Sequence, residues 1–382
     1  MKTMLVRALA PTIAAVGLAL APAARAAGGV SCGHGNPAQI LPLSVSTPLY
    51  GTATGYYTVP AGRPRALVVF SHGFEASPTR WFGAMQLISA KTRAITIALY
   101  NPGDVIVPGN PPTPANQGTR GWWVTEGAAA GIAAAQLFDR SRRSLARAEF
   151  VDYGVSMGGN TSGLMAAAGA KRSHGRPLFD YWFDIEGATN VIETYLEAKA
   201  VGATGNAYAN DAWQAIQADA GGQSPDQNPQ GYEGLDVVAH APAIKASGIK
   251  GVVMVQGALD GLVPYDQTRE MEAALAAVGV PTDLYTALTK QPGTNSGTTL
   301  DQYIPVPHDS PFAGHGSEGD LNHTVTGTGI ALLARTLLGQ IPPPACHREF
   351  LIDGTAGSLL NPGASPLIVP DPATTPDPPC PA

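Results

Sequence analysis

Residues 151–163 read VDYGVSMGGNTSG, and Glu149 and Phe150 lead into them. The run EFVDY has the aromatic and β-branched make-up of a strand. After it come a serine fenced by glycines and a small-residue stretch, MGGNTSGLMAAAGA, that suits a closely packed helix. The join, Gly154-Val155-Ser156-Met157-Gly158, is then a tight strand-to-helix turn that holds Ser156 in a strained conformation and projects its hydroxyl. Glycine at 154 and 158 removes side chains where strand and helix pack closest. A glycine-rich chain produces G-x-S-x-G by chance, and the bland alternative is a plain β-α turn. The setting between strand and helix is what makes Ser156 a candidate nucleophile.

Three other stretches supply what a nucleophilic serine needs. Upstream, ALVVF (66–70) runs into Ser71-His72-Gly73-Phe74. A strand ending in His-Gly-x can offer a backbone N–H to a developing oxyanion, with a second N–H from the residue after the nucleophile. Phe74 and Met157 are therefore the candidate oxyanion donors, and His72 shapes the loop without serving as base. Downstream, GVVMVQGALDGLVPYDQ sets Asp260 just past an apolar strand, in a turn closed by Gly261 and Pro264. A carboxylate there can accept an imidazole N–H and stabilise the imidazolium. Asp184 and Glu186, at the end of the preceding strand, are lesser alternatives. Of the eight histidines, His308, His315, His323 and His347 follow Asp260. His347 adjoins Cys346 beyond the last helix and drops out. His315, between Gly314 and Gly316, is the favoured base; His323 is the alternative, although it abuts a helix and can cap it, and His308 ranks third.

Along the chain, residues 56–59, 66–70, 94–100, 149–153, 181–186, 251–256 and 283–288 read as strands, most of them too continuously apolar to be half exposed. Residues 81–92, 124–139, 157–170, 267–279 and 325–339 read as helices between them. Such alternation predicts a mainly parallel sheet with helices on both faces and a site at the carboxyl ends of the strands. Residues 187–250 are too long for a plain crossover and read as a helical cap insertion. From residue 341 to 382 the chain is a proline-rich tail, expected to be an extended appendage rather than core.

The elbow, the His-Gly loop, the strand-G-x-x-D-x-x-V-P run and the late histidine together resemble the α/β-hydrolase superfamily, over roughly residues 50 to 340. The arrangement resembles secreted bacterial esterases and lipases, with a looser likeness to dienelactone-hydrolase-like and prolyl-oligopeptidase-like enzymes. The likeness implies an α/β-hydrolase fold, a Ser156-His315-Asp260 triad and an acyl-enzyme, with no metal or organic cofactor. The implied substrates are carboxylic esters, small or polymeric, that are lipid-like, aryl or polyester in kind. A peptidase of the same fold is the enzymatic alternative, and a non-catalytic exported binding protein is the other.

The bulk composition agrees with export. MKTMLVRALAPTIAAVGLALAPAARA has a basic start, an apolar stretch and a small-x-small site, so residues 1–26 read as a secretory signal, with residues 27–340 as the catalytic domain. The apolar stretch is too short for a span, which argues against stable membrane insertion. Cleavage would remove Lys2, Arg7 and Arg25 and no acid, taking the formal charge from −6 to about −9. An acidic surface without basic clusters is a poor match for phosphate backbones, so no nucleic-acid partner is expected. Three cysteines, Cys32, Cys346 and Cys380, in an oxidising compartment lead us to expect one disulfide, Cys346–Cys380. Trp81, Phe82, Trp122, Trp123, Tyr195, Tyr208 and Trp213 are candidates for an apolar cleft or for ordinary core.

Overall fold

A computed structural model of the chain describes residues 38–47, 49–107, 118–258, 260–287, 314–316, 318–321, 323–353 and 367–370. His308, Cys32 and Cys380 lie outside the described residues, as does the whole of 1–37. The strands are β1 (Ile40–Thr47), β2 (Gly51–Thr58), β3 (Ala66–Ser71), β4 (Ala94–Leu99), β5 (Val105–Val107), β6 (Gly118–Arg120), β7 (Glu149–Val155), β8 (Tyr181–Ile185), β9 (Gly251–Gly257), β10 (Thr282–Ala287), β11 (Arg348–Asp353) and β12 (Leu367–Pro370). All but β5 and β6, which form a small ribbon, join one ten-stranded sheet in the order β1-β2-β4-β3-β7-β8-β9-β10-β11-β12. From β4 to β11 every pairing is parallel, and the antiparallel pairings are confined to the edges, at β1–β2, β2–β4 and β11–β12.

The central strands are buried on both faces, which explains their unbroken apolar sequences. In β3, Ala66, Val68 and Phe70 point to one side and Leu67 and Val69 to the other. The first side is covered by α1 (Phe82–Thr92) and by a late helix, Thr324–Leu337, which contributes Val325, Ile330 and Leu333. The second is covered by α2 (Val124–Ser141), α3 (Met157–Ala167), α7 (Ala241–Ser247) and α8 (Tyr265–Ala277). Small side chains let α2 and α3 lie close: a Cβ on Gly131 would overlap the sulfur of Met165. The late helix, Thr324–Leu337, is α9.

Between β8 and α7 lie α4 (Val191–Gly202), α5 (Ala207–Asp219) and α6 (Pro229–Glu233). Each is started by an asparagine whose side chain accepts a backbone N–H: Asn190 from Glu193, Asn206 from Ala209 and Asn228 from Gly231. They form their own apolar cluster over the strand ends, in which Tyr195, Ile216 and Tyr232 pack with Phe74, Trp122 and Met157. The expected helical insertion is therefore present, but its last helix belongs elsewhere. Helix α7 flanks the sheet through Ile244, against Val252, Met254 and Leu275.

The described part of the tail, residues 341–353 and 367–370, differs from its reading as an appendage. Strand β11 extends the sheet by parallel pairing with β10, and β12 pairs back on β11. Ile352 is fully buried, Phe350 stacks on Tyr285 at 4.7 Å, and Arg348 donates from Nε and Nη2 to the two oxygens of Asp283 at 2.6 Å each. Proline density concealed a short strand whose partner is some 65 residues upstream. No helix among the described residues is long and apolar enough to cross a membrane.

Candidate active site

Strand β7 ends at Val155 and α3 begins at Met157, with Ser156 between them at φ 59°, ψ −125°. Positive φ at a residue with a Cβ is strained and persists only where the surroundings enforce it. Here they do. The Ser156 N–H donates to the Ile185 carbonyl at 3.0 Å, and its own carbonyl accepts from Gly159 at 2.8 Å and Ala188 at 3.1 Å. A Cβ on Gly154 would overlap the Gly158 carbonyl, and one on Gly158 would overlap that of Ser71. These glycines serve close backbone approach, as their spacing predicts. Although Ser156 is the N-cap of α3, its side chain makes no capping hydrogen bond, so the hydroxyl is not consumed in holding the helix.

Asp260 lies in the turn after β9, buried, with its carboxylate fully engaged. Oδ1 accepts the Leu262 and Val263 amides at 2.8 and 3.0 Å. Oδ2 accepts the Gln256 amide at 3.0 Å and faces His315 Nδ1 at 2.7 Å. Gln256 is itself fixed by the Thr268 hydroxyl, which donates to its Oε1 at 3.0 Å, and by the Val263 carbonyl at 2.9 Å. Asp260 and His315, 55 residues apart, are thus brought together in a charge-assisted contact. Burial by itself pulls the His315 pKa down. The carboxylates of Asp260 and then Glu186 outweigh it, so the ring is held above the ordinary histidine value.

The other candidates fall in different places. His323 caps α9: its Nδ1 accepts the Val325 N–H at 3.3 Å, and burial pushes its pKa down to about 4. It is a neutral helix cap, as its position beside the helix suggested. Asp184 is buried beneath α3, where burial raises it to about 7, and it is not bonded to His315. Glu186 is closer to the chemistry than its ranking implied. Its Oε2 accepts the Gly316 N–H at 2.8 Å and lies 3.7 Å from His315 Nδ1. His72 is buried, with Nδ1 3.0 Å from the Gly73 carbonyl and Nε2 3.3 Å from Asp104, and so braces its loop.

That loop runs beside the serine, because a Cβ on Gly73 would come 3.1 Å from the Ser156 Cβ. Phe74 and Met157 are both buried in the cluster under the cap. Among the described residues, neither backbone N–H takes part in the hydrogen bonds of the neighbouring turns. The Gly73 N–H, in contrast, donates to Glu318 Oε1 at 2.8 Å. Sequence reasoning missed Glu318 and Gln256. Gln256 carried a signal as a lone polar side chain in an apolar strand; Glu318 carried none.

Ser156 and Asp260 line one cavity of about 590 Å³. Its walls are mainly apolar, with Phe74, Trp122, Tyr208, Val201 and Leu262 among them, and Glu197 is a polar exception. Burial, then Glu193, raises Glu197 to about 7. Of the aromatic candidates, Trp122 and Tyr208 reach the cavity. Trp81 is fully buried core stacked on Phe70, and Tyr195 packs inside the cap.

Comparison with protein-family models and with curated proteins finds no match. In three dimensions the chain is similar to carboxyl esterase 2 from the mycorrhizal fungus Tuber melanosporum, with TM-score 0.52 and 14% identity, over 82% of this chain and 90% of that one. It is also similar to an acylaminoacyl peptidase from Pyrococcus horikoshii, with TM-score 0.50 and 15% identity, over 79% of this chain. The match spans only 42% of that peptidase's length. The mostly parallel sheet, the strand-to-helix bend at Ser156 and this structural likeness agree: the chain has the α/β-hydrolase fold.

Proposed function

We propose that the chain is a serine hydrolase of carboxylic esters, with Ser156 as nucleophile, His315 as base and Asp260 as the acid that orients the imidazole. The observation that carries this reading is the pairing of a strained, uncapped serine with a buried histidine–aspartate contact of 2.7 Å, the serine and the aspartate opening into one cavity. In the proposed cycle His315 removes the Ser156 proton as Oγ attacks the ester carbonyl. The oxyanion is held by the Phe74 and Met157 amides. Collapse expels the alcohol, protonated by the same imidazole, and leaves an acyl-enzyme. Water activated by His315 then releases the acid. Each oxyanion donor is worth about 3 kcal/mol in such sites.

The apolar walls favour neutral acyl or aryl groups, lipid-like or polyester in kind, and the leader of residues 1–26 favours action outside the cytoplasm. The likeness to an acylaminoacyl peptidase keeps peptide hydrolysis as the second reading. A fluorophosphonate probe should label wild-type protein, and Ser156→Ala should abolish both labelling and ester turnover. Nitrophenyl esters of short and medium chain, run beside a fluorogenic peptide panel, separate the two activities. A folded wild type that resists the probe and cleaves neither class would overturn the proposal.

A further inference from the structure

Two carboxylates, not one, converge on His315. Glu186 follows β8, the strand between that of Ser156 and that of Asp260. Its backbone N–H donates to the Val255 carbonyl at 2.9 Å, and it is held at φ 52°, a second strained non-glycine position beside the serine. The side chain is almost fully buried. One oxygen, Oε2, makes two approaches to the histidine loop, accepting the Gly316 N–H and standing 3.7 Å from His315 Nδ1. That nitrogen has its hydrogen bond with Asp260, so Glu186 acts on the ring through charge and on the loop through the neighbouring amide.

We infer that Glu186 is a positioning residue for the reaction, one that seats the His315 loop and shares with Asp260 the stabilisation of the imidazolium. The inference rests on the serine-hydrolase reading. Its physical basis is that an ion pair at this separation is weakly screened when both members are buried. Other charges face the same groups. Glu318, on the histidine loop, also raises His315, His323 at the start of α9 is itself lowered by burial and by His315, and Tyr153 of β7 lies in the field of Glu186. A merely structural role for Glu186 would need only an acceptor for Gly316, which an amide also supplies.

That difference provides the test. Glu186→Gln keeps an acceptor and removes the charge; Glu186→Ala removes both. In the full chain, the acidic limb of kcat/KM for nitrophenyl butyrate should move to lower pH by at least about one unit in Glu186→Gln, with the alkaline plateau falling less than tenfold. In Glu186→Ala the plateau should fall more than tenfold as well. An acidic limb that stays put in Glu186→Gln would overturn the inference. Should the buried substitution prevent folding, Asp260→Asn tests it from the other side. Titration of the His315 ring by ¹⁵N NMR should then still give a pKa above the ordinary value of about 6.5, because Glu186 remains; a fall to that value or below would overturn the inference. The titration needs no turnover. Failure of phosphonate labelling in wild type would sink the serine-hydrolase reading, whereas an unshifted ring in labelled protein would sink only the role of Glu186.

Discussion

Gln256 shows how a single buried amide sets the geometry of a charged pair. It donates to Asp260 and to the Val263 carbonyl and accepts from Thr268. Gln256→Leu would strand these partners in the core, at a cost of about 1–3 kcal/mol for a buried unsatisfied group. We expect a lower chemical denaturation midpoint and a fall in kcat larger than any change in KM, since Asp260 Oδ2 would lose the amide that holds it toward His315. His323 makes a pH prediction. Its folded pKa, about 4, lies below its unfolded value, so the unfolded chain takes up the proton first as pH falls. The contribution of His323 to stability should be constant above about pH 7 and decline between about 6.5 and 4, by about 2 kcal/mol at pH 5. His323→Ser, which retains a capping oxygen, should lose less stability between pH 7 and 5 in urea titrations. The turns that carry Ser156, Asp260 and His315, the residues of the proposed triad, were legible because each is a local pattern of turn residues. Glu186 could be read only as a lesser alternative acid and Glu318 not at all, since the amides they hold are 130 and 245 residues away in sequence, and no local pattern encodes such a contact.

The central strands and long helices could be read from apolar runs and alanine-rich stretches, since burial on both faces leaves an unmistakable composition. Edge elements could not. Strand β1 carries Pro42, tolerated because an edge strand needs only one ladder, and β11, next to the edge strand β12, is a run of mixed polarity among prolines. The consequence for β11 is testable. Ending the chain at Cys346 would remove Phe350 from Tyr285, Ile352 from the core and Arg348 from buried Asp283, and would bare the edge of β10. We expect a lower melting temperature together with aggregation from the unpaired edge, measured by thermal unfolding and light scattering. Phe350→Ala should reproduce the melting shift without the aggregation, because the ladder survives.

The chain carries a formal charge of −6, and Glu197 and Asp266 add negative groups to the cavity wall. Esters bearing a carboxylate on the acyl side should therefore be cleaved at least about tenfold more slowly than neutral isosteres above pH 7, where Glu197 ionises. The gap should narrow in Glu197→Gln and with added salt. The same cavity has a mechanical side. Phe74, whose amide is the proposed oxyanion donor, packs edge-to-face on Tyr208 of α5 at 5.4 Å. Displacing the roof to admit a wide polymer chain would loosen the residue that must stay rigid while charge develops. Bulk would then be penalised in turnover more than in affinity, so such a catalyst would sort its substrates by how little they disturb the ceiling above them.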